Sequence, residues 1–176
     1  MTYIPEVLPS TQSFINLAKD DSVYVDKTGI IQNLLRRNNP GPYFLARPRR
    51  FGKIVLIDTL ENIFRGKREF FEGLEICKPE YKFQWIPYPV IRIDMNGVKS
   101  HPDLFDQSLT SMLEMCALYH KIDINLLDPS TALTTLIRKL SLKQAYFLSE
   151  SSGTFCEPRE NVVLLIDEYD FPLLPV

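Results

Sequence analysis

With 176 residues, 45% of them hydrophobic and 24% charged, the chain has the size of one domain with its own core and the composition of a globular protein. A net charge of −2 gives it no general attraction to nucleic acid or anionic membrane. Cys77, Cys116 and Cys156 are odd in number and widely spaced, and His101 and His120 have no ligand spacing to each other or to a cysteine. That pattern argues against a disulfide frame or a zinc cage and for reduced thiols in a cytoplasmic protein. The amino terminus, Met1-Thr2-Tyr3-Ile4-Pro5, has no leader pattern, and no run approaches the ~20 apolar residues of a membrane helix.

In chain order, the first residues to about Asp21 are rich in turn formers around one short amphipathic stretch, Phe14-Ile15-Asn16-Leu17-Ala18. Val23 to Thr28 alternates briefly. From Gly29 to Arg37 the apolar positions Ile30, Ile31, Leu34 and Leu35 predict a helix, stopped by Asn38-Asn39-Pro40-Gly41-Pro42. Tyr43-Phe44-Leu45-Ala46 reads most simply as a short buried strand. Residues 53 to 64 carry Ile54, Val55, Ile57, Leu60, Ile63 and Phe64 at helical spacing, with Gly66 placed to cap the end.

Residues 67 to 87 are irregular, anchored by Phe70, Phe71, Leu74 and Trp85. Tyr88 to Met95 alternates and ends acidic at Asp94, as a strand would. A helix follows Pro102, with Leu104, Phe105, Leu109, Met112, Leu113 and Cys116 on one face. Asp128-Pro129-Ser130 starts another, whose stripe is Leu133, Leu136, Ile137 and Leu140, with Ala145 extending it. Both stripes read as core. Ser149 to Glu160 is polar and predicts a loop. Val162 to Ile166 is an unbroken apolar run, suited to a parallel strand buried on both faces. Strands alternating with helices predict an α/β domain with a mainly parallel sheet.

Two segments carry chemistry. Arg47-Pro48-Arg49-Arg50-Phe51-Gly52-Lys53 leaves the first strand and enters a helix, and Asp167-Glu168 ends the last strand. A phosphate loop needs converging backbone N–H groups, a glycine for close approach, a helix N-terminus and a lysine. The usual pattern is a glycine, four residues, Gly-Lys, then Ser or Thr. Here Arg47 occupies the first glycine position and Ile54 the hydroxyl position, so the motif is half matched. A solvated basic loop and a solvated acidic strand end are the plainer accounts of each segment alone. Their occurrence together favours ATP, because parallel topology brings strand ends to one edge, where ligands bind.

In order along the chain, Tyr24-Val25-Asp26-Lys27-Thr28, Phe44-Leu45-Ala46-Arg47-Pro48-Arg49-Arg50-Phe51-Gly52-Lys53, Tyr88-Pro89-Val90-Ile91-Arg92-Ile93-Asp94 and Leu165-Ile166-Asp167-Glu168-Tyr169-Asp170 resemble the AAA-ATPase-like domain family. That domain is often followed by a nuclease-like domain of the PD-(D/E)xK type; no nuclease constellation is present here, since Pro102-Asp103 is not followed by a strand bearing Glu-x-Lys. The resemblance accounts for Arg47, because the family tolerates Arg-Pro where other phosphate loops keep glycine. It implies a P-loop NTPase-like three-layer fold, with residues 1–176 as one domain, about 1–40 as an N-terminal extension and 41–176 as the P-loop core. ATP is the implied ligand. Arg49, Arg50, Phe51, Gly52, Lys53 and Ile54 would form its cradle, Lys53 would act on the phosphates, Asp167 would hold Mg²⁺ and Glu168 would be the catalytic base.

The chain departs from the family in two ways. Ile54 offers no oxygen to a magnesium ion, so ATP hydrolysis is expected to suffer more than ATP binding. The family's domain also continues past the acidic strand. The expectation is therefore a fold incomplete at the C-terminus, with a gap in its sheet and with self-association or a missing C-terminal domain to fill it. The competing reading is a non-enzymatic remnant or interaction module that binds no nucleotide. A nucleic-acid partner resting on the arginines is disfavoured by the net charge. Tyr24, Asp26 and Lys27 have no role that sequence alone assigns; they line the nucleotide site or pin the first helix, the second being favoured.

Overall fold

A computed structural model of the chain describes residues 13–19, 24–35, 42–46, 48, 51–124, 128–152 and 162–170. Two compact units are present, Met1–Pro87 and Tyr88–Val176.

Among its described residues the first unit contains the helices α1 (Phe14–Lys19), α2 (Thr28–Leu35) and α3 (Lys53–Phe64), followed by short 3-10 turns at Arg68–Phe71, Glu75–Cys77 and Pro79–Tyr81. Its core is aromatic. Phe14 and Phe71 are fully buried and stack with centroids 4.5 Å apart, Tyr24 meets Phe14 edge-on at 5.3 Å, and Trp85 closes on Phe71 at 5.2 Å. Ile31, Ile63 and Ile76 complete it, with Leu56, Leu60, Phe70 and Leu74 packed around them. The anchors read from the irregular stretch, Phe70, Phe71, Leu74 and Trp85, thus belong to this core. Such rings carry most of the apolar area in a small core.

The backbone amide of Phe14 donates to Asp58 Oδ2 at 2.6 Å, which ties α1 to α3. Helix α3 ends as its sequence predicts. Gly66 adopts φ 71°, and Arg65, Gly66 and Lys67 donate back to Glu61, Ile63 and Asn62 carbonyls. A β-carbon at Gly66 would press on the Trp85 carbonyl oxygen and the Pro87 nitrogen at 3.3 Å.

Tyr43 to Ala46 does not form the expected buried strand. All four residues are exposed, Phe44 at 77%. The reason is pairing: among the described residues of this unit there is no strand to complete a ladder, and an apolar run alone cannot satisfy strand backbone groups. The hydroxyl of Tyr43 instead donates to the Leu34 carbonyl at 3.4 Å.

The second unit is a parallel crossover: β1 (Val90–Asp94), α4 (Pro102–Tyr119), α5 (Pro129–Ser152) and β2 (Val163–Asp167). β1 and β2 pair in parallel with Val90 opposite Val163 and Asp94 opposite Asp167. Among the described residues this two-stranded parallel sheet is the sheet of the chain, and the architecture is mixed α/β. The core joins Ile91 and Ile93 to Leu113 and Ala117 of α4 and to Ala132, Leu136 and Leu140 of α5. The Asp128 carboxylate caps α5, accepting from Thr131 N at 2.9 Å and Ser130 Oγ at 2.7 Å. Hydrogen bonds from the Thr131 side chain, then the Thr131 amide and the Ser130 side chain, hold its carboxyl down at about 2.

Three details differ from the sequence reading. Leu104, assigned to the buried face of α4, is exposed, because it sits in the first turn ahead of the packed stretch that includes Leu113 and Ala117. Helix α5 runs through Ser152, so residues 149–152 are helical; nothing in Ser149-Glu150-Ser151-Ser152 breaks a helix, and the breaker is Gly153. Residues 153–160 of the expected loop lie outside the described residues.

The third difference is in β2, which is not buried on both faces. Leu164 and Ile166 are 38% and 43% accessible. In-register parallel pairing puts them on the same face as Ile91 and Ile93, and α4 packs over β1. The far edge of β1 is covered as well, since Val90 O meets His120 Nε2 at 3.0 Å and Arg92 O accepts from Cys116 Sγ at 3.5 Å. Among the described residues no helix is long and apolar enough to cross a membrane.

Candidate functional site

The predicted phosphate loop lies in the first unit. Arg47, Arg49 and Arg50 fall outside the described residues. Phe51 and Gly52 are exposed, and Lys53 and Ile54 are half-buried as the first two residues of α3. Gly52 is the N-cap, with φ 76° and ψ 20°, and a β-carbon there would meet nothing within 4 Å among the described residues. That left-handed conformation favours glycine over other residues. Helix α3 has no side-chain cap hydrogen bond at Gly52 and no acidic residue in its first turn. Its positive end and its Lys53 are therefore set out as an anion would require.

The other half of the predicted site lies in the second unit. Asp167 ends β2 and is 5% accessible, and its Oδ1 accepts from the Glu168 amide at 3.0 Å. Burial pushes its carboxyl above the ordinary carboxylate range. The Glu168 amide pulls the other way, the charges of Glu168 and Asp94 add to the rise, and Arg92 opposes it. Asp94 stands directly opposite Asp167 in the strand register and is itself exposed, accepting from Asn96 N and Nδ2 at 3.0 Å. Glu168 has φ 49°, a left-handed backbone uncommon outside glycine, which turns the chain sharply at the strand end. Among the described residues no group of three or more His, Cys, Asp and Glu side chains could by itself hold a metal ion. A magnesium bound mainly through nucleotide phosphates needs only one or two carboxylates, and the donor chemistry of Asp167 fits that role, whereas Ile54 supplies no oxygen.

The Tyr24-Val25-Asp26-Lys27-Thr28 segment has a definite structural job. Asp26 Oδ1 accepts from Thr28 N at 2.8 Å and Thr28 Oγ1 at 2.7 Å, capping α2. Its Oδ2 accepts from Glu75 N at 2.7 Å, and Thr28 Oγ1 in turn accepts from Ile76 N at 3.0 Å. Burial raises the Asp26 carboxyl, but the Thr28 side chain and amide, the Glu75 amide and the Lys78 charge together outweigh it and leave it below the ordinary value. Tyr24, packed in the core, is held above the usual phenol range by burial, with a hydrogen bond to Thr59 opposing and the Asp26 charge assisting.

The Glu75 carboxylate sits against Gly29. A β-carbon at Gly29 would come 2.4 Å from Glu75 Oε2 and 2.8 Å from Tyr81 Oη, and Tyr81 donates to Glu75 Oε1 at 2.7 Å. The start of α2 is therefore occupied by the protein's own carboxylates. The segment pins α2, as favoured from the sequence, while Lys27 is exposed. Sequence reasoning missed Glu75 and Tyr81. The one available signal was Asp-x-Thr ahead of a helix, which marks a cap but not its distant partner.

With this geometry in place, the class of the protein is defined by its matches. The chain belongs to the family described as Predicted AAA-ATPase, which it matches over residues 9–176. It is also similar, at 32% identity over 167 residues, to the "Uncharacterized protein in vnfD 5'region" of Azotobacter chroococcum mcd 1, an alignment covering 93% of this chain and 28% of that protein. The chain thus spans about 28% of the length of that curated relative. No solved structure matches it.

Proposed function

We propose that the chain is an ATP-binding domain of P-loop NTPase-like, three-layer architecture, with ATP held at the start of α3. The observation that carries the reading is that α3 begins at Lys53 behind an open, left-handed Gly52, with no acidic residue in its first turn. Family membership over nearly the whole chain supports it. In this reading Arg49, Arg50, Phe51, Gly52, Lys53 and Ile54 form the phosphate cradle, and Lys53 neutralises the terminal phosphates. Asp167 supplies a carboxylate to the Mg²⁺ that accompanies ATP, which when bound spreads the phosphate charge. Glu168 is the candidate base for an attacking water. Because Ile54 replaces a hydroxyl, binding persists while turnover is impaired.

Thermal unfolding with and without ATP tests this. A ligand at a hundred times its Kd stabilises by about 2.7 kcal/mol, which corresponds to a rise of roughly 5–10 °C for a chain of this size. Lys53→Ala is expected to remove that rise while leaving the nucleotide-free midpoint in place. No rise with ATP, in the presence or absence of Mg²⁺, overturns the proposal.

A further inference from the structure

The first unit contains a hinged strap. Residues Leu74 to Tyr81 run between two left-handed positions, Gly73 at φ 84° and Lys82 at φ 46°, both exposed. Inside those limits the segment is built from two consecutive 3-10 turns, Glu75–Cys77 and Pro79–Tyr81, closed by short-range bonds such as Lys78 N to Glu75 O and Tyr81 N to Lys78 O. Three hydrogen bonds tie it to Asp26, just ahead of α2, and to Thr28 and Gln32 within that helix. Glu75 N goes to Asp26 Oδ2 and Ile76 N to Thr28 Oγ1, while Gln32 Nε2 donates to Tyr81 O at 3.1 Å. Ile76 inserts into the aromatic core as the strap's apolar peg.

In the closed strap Gln32 is 2% accessible, and its Oε1 has no hydrogen-bond partner among the described residues. A buried acceptor without a donor opposes the closed state, and opening would return it to water. Thr28, also fully buried, would be uncovered by the same motion. The segment thus combines short-range turn bonds of its own, a left-handed residue at each end and a buried acceptor unpartnered among the described residues, against the packing of Ile76, Leu74 and Cys77 on the core and a bond from Arg68 to Cys77. Contiguous segments of a native protein can open as units below the global unfolding free energy.

We propose that residues 74–81 form a strap that opens as a unit about Gly73 and Lys82 while the rest of the first unit stays folded, and that the Asp26 carboxylate is its latch. The assignment does not depend on nucleotide binding. It gives the Tyr24–Thr28 segment a purpose separate from the phosphate loop: Asp26 both caps α2 and grips the strap, so the helix and the strap are fastened through one side chain.

Native-state hydrogen exchange on the full chain tests the proposal without any substitution. The amides of Glu75 and Ile76 are expected to exchange through an opening with a smaller denaturant dependence than those of Thr59 to Ile63 in α3, because the open strap exposes only part of the core. Asp26→Asn is then expected to speed exchange across 74–81, and alkylation of the half-buried Cys77, by about tenfold or more, since one lost bond to a charged acceptor changes an opening equilibrium by that order. Exchange in α3 should quicken by a like factor, because global unfolding breaks the same bond, while the difference in denaturant dependence persists. Thr28→Val should act in the same direction and more weakly. Equal denaturant dependence in the strap and α3 would overturn the proposal, as would an Asp26→Asn variant whose exchange across 74–81 is no faster than the parent's.

Discussion

Helices α2 and α3 start in opposite ways within one unit. At α2 the N-terminal turn is filled: Asp26 caps it, Glu75 lies against Gly29, and Tyr81 holds Glu75 in place. At α3 the N-cap is Gly52, exposed and left-handed, with no acidic residue in the first turn. The positive end of a helix attracts negative charge in either case. Where the protein supplies its own carboxylates, that attraction becomes stability. At α3 the N-cap is a glycine and the first helical residue is Lys53, whereas Lys27 stands exposed ahead of a start the protein has already filled.

Removing the carboxylate that fills α2 should have the largest effect. Asp26→Ala strips the cap from α2 and the acceptor from Glu75 N, and a loss of about 2–3 kcal/mol is expected in denaturant unfolding. The acid limb of stability checks the same group. Its carboxyl lies below the ordinary value in the folded chain, so its contribution is present above the unfolded value near 4 and is lost as pH falls through the folded one. In Asp26→Asn that limb should flatten. A variant as stable as the parent would break the contrast between the two helices.

Glycine-to-alanine changes at the two starts should differ in kind. Gly29→Ala pushes a methyl group into the Glu75 carboxyl and should cost about 1–2 kcal/mol, with loosening of the 74–81 segment. Gly52→Ala meets no atom but must hold a left-handed backbone, at a cost of about 1 kcal/mol. Its stability defect should be accompanied by weakened ATP binding, and that of Gly29→Ala should not.

A smaller effect, opposite in sign, is expected at the strand end. Asp167 has its carboxyl raised by burial and by neighbouring negative charge, so the folded chain holds that proton more tightly than the unfolded one. Stability therefore falls as pH rises from the unfolded value near 4 through the raised one, and at neutral pH the ionised group is a burden. Asp167→Asn should raise the unfolding midpoint while removing any Mg²⁺-dependent part of ATP stabilisation. A residue whose removal improves stability and damages binding is the signature of a site. The smallest change in stability, a loss of about 1 kcal/mol, is expected of Ile54→Ser, since Ile54 keeps only part of its side chain out of water. Its readout is phosphate release, which should increase if the missing hydroxyl is what limits turnover.

Much of the fold was legible in the sequence because it rests on local codes. Gly66 ends α3, Asp128-Pro129 opens α5 and the stripe of Leu136 and Leu140 is buried. Each depends on residues within one or two turns. That Tyr43–Ala46 would form no strand was not foreseeable in the same way. Apolar character identifies a segment able to pair, and pairing depends on a neighbour elsewhere in the chain. The burial of β2 was overestimated for a like reason: five apolar residues in a row do not say how far α4 reaches across the sheet. At the candidate site, the sequence picked out Gly52, Lys53, Asp167 and Glu168 by residue type and order, and the structure places Gly52 and Lys53 at the start of α3 and Asp167 and Glu168 at the end of β2.

By itself, then, the sequence determined the family, the end of α3, the start of α5 and the parallel crossover. Tertiary structure alone decided that Asp26 would reach Glu75, forty-nine positions away, that Gly29 must remain without a side chain, and that Asp94 would stand opposite Asp167. The reason is range. Capping, helical periodicity and turn chemistry act between residues a few positions apart, whereas a carboxylate meeting a distant amide depends on how whole elements pack, which no short stretch of residues encodes.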